Sequence, residues 1–561
     1  MSAEKLILIY AIIIIVILIV ADRITDAGRR NYFKSDIRSS YGKRSHYKKK
    51  PIDRENIESY FKNCKDEEEF FVDNITWHDL NMDEIYKIIA NVQSSVGAEV
   101  LYKILRIPSF KKEELENREE MIKYFKENAK DRFNVQYTIR SILGRREIAR
   151  LSNYFFKPKK FSGSKLGLHL FLRYAIIVLF IGGIILQNSG PIIAAVMIVV
   201  INSTMTMAAK KDTEYVLEDY SYMINLIKCA YKIRSLNIEE INSKYPNLDE
   251  ALSKFKKINN KALNEAISLS GGNAGAIKIY LNGVFLIDII NYERAGKIIC
   301  DNPESIRVLY DYVGELDSLI AVSSFRETLE YYVEPNFTKD VEVEFKEIYN
   351  PLIKEPVVNS GDFKKSVLLT GSNASGKSTF LRSVGLNALL GQTINTVCAK
   401  EYRGAMFRIY SSMALQDNIL SSESYYMVEI KALKRILDDM EYEHPILCIV
   451  DEILRGTNTV ERISASSEIL DYLGRDEDVF CLAATHDIEL TYMLNELYDN
   501  YSFEEKVKNN KIAFDYKLKE GRSKTRNAIK ILEVMGYRKD IIKKAENKAV
   551  KFLEKKTWDN I

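Results

Sequence analysis

Nine consecutive residues, Gly371-Ser372-Asn373-Ala374-Ser375-Gly376-Lys377-Ser378-Thr379, have the types and spacing that hold a phosphate chain. They follow the apolar run Val367-Leu368-Leu369 and precede a helical pattern, Phe380-Leu381, Val384, Leu386, Leu389-Leu390. Strand, glycine loop and helix in that order make a phosphate-binding loop, or P-loop. The glycines let backbone N–H groups close around phosphate oxygens, and the helix N-terminus adds the positive end of its dipole. Lys377 is then placed to reach the β- and γ-phosphates, and the Ser378 hydroxyl to ligate Mg²⁺. ATP with Mg²⁺ is the ligand such a loop implies.

Two further groups suit the same chemistry. About 75 residues on, Ile446-Leu-Cys-Ile-Val450 leads into Asp451-Glu452. A carboxylate at a strand end, Asp451, can hold the metal through water, and Glu452 can polarise an attacking water. A third apolar run, Val479–Ala484, ends in Thr485-His486, which brings an imidazole to the same edge. A lone histidine is more often structural, but one ending a strand beside Asp451 is a candidate on the catalytic side. These groups meet only if their strands share a sheet. Ser366–Thr370, Ile446–Val450 and Val479–Ala484 read as short buried strands separated by helical patterns, an α/β NTPase domain of ABC-like, mostly parallel type.

Four motifs occur in order: Thr370-Gly-Ser-Asn-Ala-Ser-Gly-Lys-Ser-Thr-Phe380, Met427-Val-Glu429, Asp451-Glu-Ile-Leu-Arg-Gly-Thr457 and Ala484-Thr-His486. Together they resemble the ATPase domain of the MutS family, whose patterns are TGPNMGGKST, STFMVEM, DEIGRGT and ATH. Leu518-Lys-Glu-Gly-Arg-Ser523 is similar to the family's LxxGxS, and Trp77-His-Asp-Leu80 with Ser95-Val-Gly97 resembles the start of its helical core. The strong likeness covers about a third of the chain. It implies a homodimer with composite ATP sites, in which Lys377, Ser378, Asp451, Glu452 and His486 act in cis. The segment Ser421-Ser-Glu-Ser424 would offer Ser424 in trans to the partner's γ-phosphate. Hydrolysis linked to dimer geometry makes such a domain a conformational switch. Glu423 stands where the family has arginine and Leu454 where it has glycine, both near the implied subunit boundary. Mismatch-repair members begin with a Phe-x-Glu wedge domain, and the expectation here is that none stands before Trp77. Phe125-Lys-Glu127 has the right letters but lies in a charged amphipathic helical pattern.

At 561 residues the chain is long enough for several domains, with 46% hydrophobic and 28% charged residues, as in globular proteins. A net charge of +3 gives no global basic field for nucleic acid. The six cysteines are widely separated, without metal-ligand or redox spacing, which fits a reduced compartment.

Three segments are apolar beyond soluble norms. Leu6–Ala21 carries no charge over sixteen residues, about 24 Å as a helix, with Lys5 and Arg23 able to snorkel. Leu168–Gln187 and Ile192–Ala209 form a pair joined by Asn188-Ser-Gly-Pro191, with Arg173 near one end. Between Asp22 and Lys50 lie ten Lys/Arg against three Asp, which puts that side in the cytosol. Three transmembrane helices in the cell membrane then leave the N-terminus outside and the ATPase domain cytoplasmic. Leu269-Ser-Gly-Gly-Asn273 mimics a transporter signature loop but precedes the phosphate loop, so it reads as a helix-breaking turn.

The expected division is an anchor at 1–21, a basic tether at 22–50, a helical core at 51–160 and 212–340 interrupted by a hairpin at 168–209, an ATPase domain at 341–520, and a helical dimerisation segment at 521–561. The function this supports is a membrane-anchored, MutS-like ATPase switch acting on an unidentified protein partner. The alternative is a membrane-tethered DNA-binding ATPase, for which no basic stripe is apparent outside the tether. A half-transporter fits poorly, with three spans and a misplaced signature loop.

Overall fold

The computed structural model describes residues 24–25, 27–44, 54–144, 151–156, 165–258, 281–372, 375–413, 425–440, 443–508, 511–523 and 528–555. Leu6–Ala21, Asn373, Ala374, Ser421–Ser424 and the Gly271-Gly272 turn lie outside them. The chain divides into two compact units: Met1–Glu67 with Lys87–Ile104 and Asn117–Thr328, and Glu68–Tyr86 with Leu105–Glu116 and Leu329–Ile561.

The first unit is helical. Helix Pro303–Arg326 starts with proline in its first turn, where a missing N–H costs nothing, and buries Leu309, Val313, Leu316 and Ile320. From it Asp317, 1% exposed, accepts hydrogen bonds from the backbone N–H groups of Gln93 and Ser94 and from the Ser94 hydroxyl at 2.7–3.0 Å. One carboxylate thus satisfies donors at the start of helix Ser95–Arg106. The Ser95-Val-Gly97 motif has its reason here. A Cβ on residue 97 would lie 2.3 Å from the Asp317 carboxylate, so only glycine fits. Phe125 is fully buried in helix Lys112–Glu127, a core residue and not a wedge.

Two helices of this unit, Leu166–Ile185 and Ser189–Ala208, are long and apolar enough to cross a membrane, with mean hydropathies of 2.2 and 1.9. The sequence counts three such spans; the described residues supply two. Phe171, Val178, Ile185 and Met197 are exposed on them. Asn188 caps the second helix, accepting the Gly190 N–H at 2.9 Å. The expected Asn188–Pro191 link is therefore shorter than the sequence suggests, since Ser189 already begins the helix and Pro191 sits in its first turn. That helix runs unbroken from Ser189 to Arg234, 46 residues, or about 69 Å. At its base the hairpin is held by helix Ile287–Cys300. Glu293 accepts the Lys165 N–H at 2.7 Å and pairs with His169 at 2.8 Å.

The second unit carries the strands β1 Asn336–Phe337, β2 Val343–Ile348, β3 Asn359–Phe363, β4 Ser366–Gly371, β5 Glu401–Gly404, β6 Arg408–Ser412, β7 Ile446–Asp451, β8 Val479–Ala484, β9 Tyr498–Lys508 and β10 Lys511–Glu520. They form a small sheet, β1-β5-β2-β3, and a six-stranded sheet, β10-β9-β4-β8-β7-β6. In the larger sheet β9, β4, β8, β7 and β6 are parallel, and β10 returns antiparallel on the edge. The central strands β4, β7 and β8 are buried almost throughout, as their continuous apolar runs require. The opposite edge, β6, is covered by helix Asn74–Asp79. The Ser411 N–H donates to Thr76 Oγ1 at 3.1 Å, and the Ser411 hydroxyl and Met413 N–H donate to Asp79 at 2.7 and 2.9 Å. Side chains thus satisfy an edge that would otherwise invite another strand. Trp77–Leu80 belong structurally to this sheet.

One buried group in the helical unit gives a test. Glu99 is 2% exposed, beside Tyr310 and the Tyr60 backbone. Burial pushes its pKa from 4.5 up to about 8. The fold therefore favours the protonated form: its contribution is complete below pH 4.5 and is lost as pH rises toward 8. Urea unfolding should show stability falling by on the order of 5 kcal/mol across that window through this group. In Glu99→Gln the fall should be largely absent.

Candidate active site

The strand register brings the three chemical groups level. Leu369 of β4 and Asp451 of β7 both pair with Ala484 of β8, between them. Two further bonds extend the ladder past the strand ends, Thr485 N–H to Leu369 O and Glu452 N–H to Ala484 O, each 2.9 Å. The loop after β4, the pair after β7 and Thr485-His486 after β8 therefore share one carboxyl edge, where open parallel sheets bind ligands.

The loop leaves β4 at Gly371 and enters helix Lys377–Ile394 through Gly376, with φ of +146° and +105°. A Cβ on Gly371 would meet the Phe503 carbonyl at 2.4 Å, and one on Gly376 the Tyr516 ring at 3.0 Å. Lys377 is 4% exposed, and its ammonium donates to the Gly371 and Ser372 carbonyls at 2.7 and 3.0 Å. Burial lowers its pKa, while Asp451, Glu452 and Glu505 oppose that shift. The Ser378 hydroxyl donates to Asp451. Burial raises the Asp451 pKa, and its second oxygen is buried without a partner among the described residues. A hydroxyl beside an unsatisfied carboxylate oxygen is the hard-donor set that Mg²⁺ takes alongside phosphate and water.

Glu452 pairs with His486 Nε2 at 2.8 Å and also with Arg455. The His486 bond, followed by the nearby charges of His486 and Arg455, holds its carboxyl below the ordinary range. Both Glu452 (φ +58°) and Leu454 (φ +57°) adopt the left-handed backbone. Leu454 stands where the resembling motif has glycine, and its side chain is buried beside Leu433, Ile436 and Ile453. That burial offsets a left-handed penalty of about 1–2 kcal/mol.

A cleft of about 460 Å³ opens beside the loop. Ser372, Ser375, Gly376, Lys377, Ser378, Thr379 and Glu452 line it, together with the apolar Ile353, Pro356, Val357 and Tyr516 and the polar Asn350, Glu355 and Asn359. The structure thus brings together Gly371, Ser372, Ser375, Gly376, Lys377, Ser378, Thr379, Asp451, Glu452 and His486. Asn373, Ala374 and Ser424 lie outside the described residues. The apolar residues form no spaced pattern in the sequence, and Arg455, though inside the Asp451–Thr457 motif, has no role assigned to it there. The Leu518–Ser523 motif reaches the same edge: the Ser523 N–H donates to Thr370 Oγ1 at 3.0 Å.

Glu429, of the Met427-Val-Glu429 motif, has a supporting role. It is 6% exposed and accepts the Leu454 N–H, tying down the turn after Asp451-Glu452; burial raises its pKa. Glu429→Ala should lower unfolding free energy by about 1–3 kcal/mol, leaving a buried N–H unpaired. Glu429→Gln, whose amide oxygen still accepts, should stay near wild type in the same urea titration.

Residues 367–553 match the family description MutS domain V. Among similar proteins, the DNA mismatch repair protein MutS of Finegoldia magna is 29% identical over 279 residues, 47% of this chain and 32% of that protein. The MutS of Pseudothermotoga lettingae is 29% identical over 275 residues, 46% of this chain and 33% of that protein. The DNA mismatch repair protein MSH3 of Phaeosphaeria nodorum is 28% identical over 273 residues, 46% of this chain and 24% of that protein. The chain therefore spans a third or less of the length of these relatives. The match over residues 367–553, a third of the chain, and these likenesses support a MutS family protein.

Proposed function

We propose that this protein binds and hydrolyses ATP in the cleft beside the 371–379 loop, and that the nucleotide state sets its conformation. The observation that carries this reading is the meeting of Lys377, Ser378, Asp451, Glu452 and His486 at one sheet edge. On this reading the loop N–H groups and Lys377 bind the phosphates, Lys377 giving up its two carbonyl contacts to do so. Ser378 and Asp451 would hold Mg²⁺, which when bound neutralises phosphate charge. Glu452, kept ionised by His486 and Arg455, orients water and accepts its proton. Pro356, Val357 and Tyr516 give an apolar wall suited to a base.

Two copies would complete each other's sites, Ser424 of one reaching the phosphate bound by the other. The apolar hairpin 166–208, with Leu6–Ala21 as a third span, would anchor the protein in a membrane with the ATPase domain in the cytosol. The unbroken helix Ser189–Arg234 supports a further step, in which movement of the helical unit is carried to the hairpin. The relatives' names favour a second reading, a membrane-tethered ATPase that binds DNA. ATPase rates in detergent, with and without duplex DNA at two salt concentrations, separate the two. Stimulation that falls steeply with salt supports DNA.

Lys377→Ala should weaken ATP binding at least tenfold, on the order of 1.4 kcal/mol. Glu452→Gln should bind ATP normally and turn over about a hundredfold more slowly. Equilibrium binding and single-turnover hydrolysis check both, and wild-type turnover in Glu452→Gln would remove it as the base.

If the sites are composite, Lys377→Ala and Ser424→Ala should each be inactive alone and recover activity when mixed, because some mixed dimers hold one intact site. Mixed dimers without activity at every ratio would overturn the arrangement.

A further inference from the structure

Glu505 is a buried acid at the phosphate loop to which none of the roles above gives a task. It lies on β9, where Phe503 pairs with Gly371, the last residue of β4. The Ser372 hydroxyl donates to Glu505 Oε2 at 2.7 Å. Glu505 is 4% exposed, and Oε1 is buried with no hydrogen-bond partner among the described residues. Ser372 is thereby held from both sides, its carbonyl accepting from Lys377 at 3.0 Å and its hydroxyl donating to Glu505. A proline, which stands here in the TGPNMGGKST pattern, could not make the second bond.

A negative charge at this place works against a phosphate ligand. Asp451 would engage a metal and Glu452 engages His486 and Arg455, whereas Glu505 Oε1 has no partner among the described residues. When Lys377 turns to a phosphate, Glu505 stays across Ser372 from the incoming negative charge, in a buried region where salt screens little. We propose that the charge of Glu505, held across Ser372 from the phosphate chain, is an electrostatic brake, which lowers affinity for the phosphate chain and speeds nucleotide release.

The inference rests on the ATP reading of the cleft, and the test keeps the two apart. Full-length protein in detergent is titrated with ATP, ADP and adenosine in the presence of Mg²⁺, and release of a fluorescent ATP analogue is timed by stopped flow. Glu505→Gln keeps an acceptor for Ser372 and removes only the charge. It should bind ATP and ADP about tenfold tighter, mainly through slower release, with adenosine unchanged. Ser372→Ala, which cuts the hydrogen bond and leaves the charge, should not tighten binding. A purely structural clasp predicts wild-type affinity in Glu505→Gln, and that result, or weaker binding, would overturn the brake while leaving the ATP site standing. Wild-type protein that binds neither nucleotide would overturn the ATP reading itself, and the brake with it.

Discussion

The constraint on which this site depends is the parallel register of β4, β8 and β7. Ala484 pairs with both Leu369 and Asp451, so three strand ends finish level. A shift of one residue in any of them would exchange the side chains on its two buried faces and separate the loop from Asp451. The register is held because both faces of these strands are buried and close-packed, so exchanging the two would misfit the core on each side. The site is therefore a consequence of how the core packs, and its polar groups are placed by residues that never touch a ligand.

Placing charge at a buried edge has a cost, which local devices offset. Lys377 is satisfied by the carbonyls of its own loop. Glu452 is shared between His486 and Arg455 in a turn with two left-handed residues. Glu429 closes that turn from behind. Such a turn stores strain that the surrounding contacts must over-determine, as functional sites commonly do. Asp451 shows the remaining imbalance, with one oxygen bound by Ser378 and the other buried without a partner among the described residues. A buried orphan oxygen is destabilising alone and favourable once a cation arrives.

Much of this was legible in the sequence because its signals are local. Gly371 to Thr379 announces itself by spacing, and Asp451-Glu452 and His486 by standing at the ends of apolar runs. The parallel sheet follows from those runs. What was not legible is what pairing alone creates. Glu505 meets Ser372 only because β9 lies beside β4, which no spacing encodes. Arg455 lies inside a recognised motif, yet its pairing with Glu452 depends on the left-handed turn between them. Trp77–Leu80 resembles the opening of a helical core, but Thr76 and Asp79 satisfy the outer edge of β6. Side-chain contacts between distant segments leave no periodic trace. The link before Pro191 misled for a simpler reason, since proline is welcome in a first helical turn as well as in a loop.

The helix Ser189–Arg234 places a physical demand on its own unit. Its first twenty residues are apolar and mostly exposed, whereas Tyr220, Tyr222, Met223, Ile224 and Ile227 near the other end are buried in the helical core. No interruption in the backbone separates these two environments. An α-helix resists sharp bending unless proline, a bulge or an inserted group opens its hydrogen bonds, and Pro191, at the very start, opens none. The hairpin is also fixed at its base, where Glu293 binds both Lys165 N–H and His169 and Asn202 donates to the Val284 carbonyl at 2.8 Å. With both helices of the hairpin held there, the exposed arm cannot swing as a loose appendage. Any rotation of the core segment must turn the arm with it, so the apolar hairpin and the helical core are mechanically a single body.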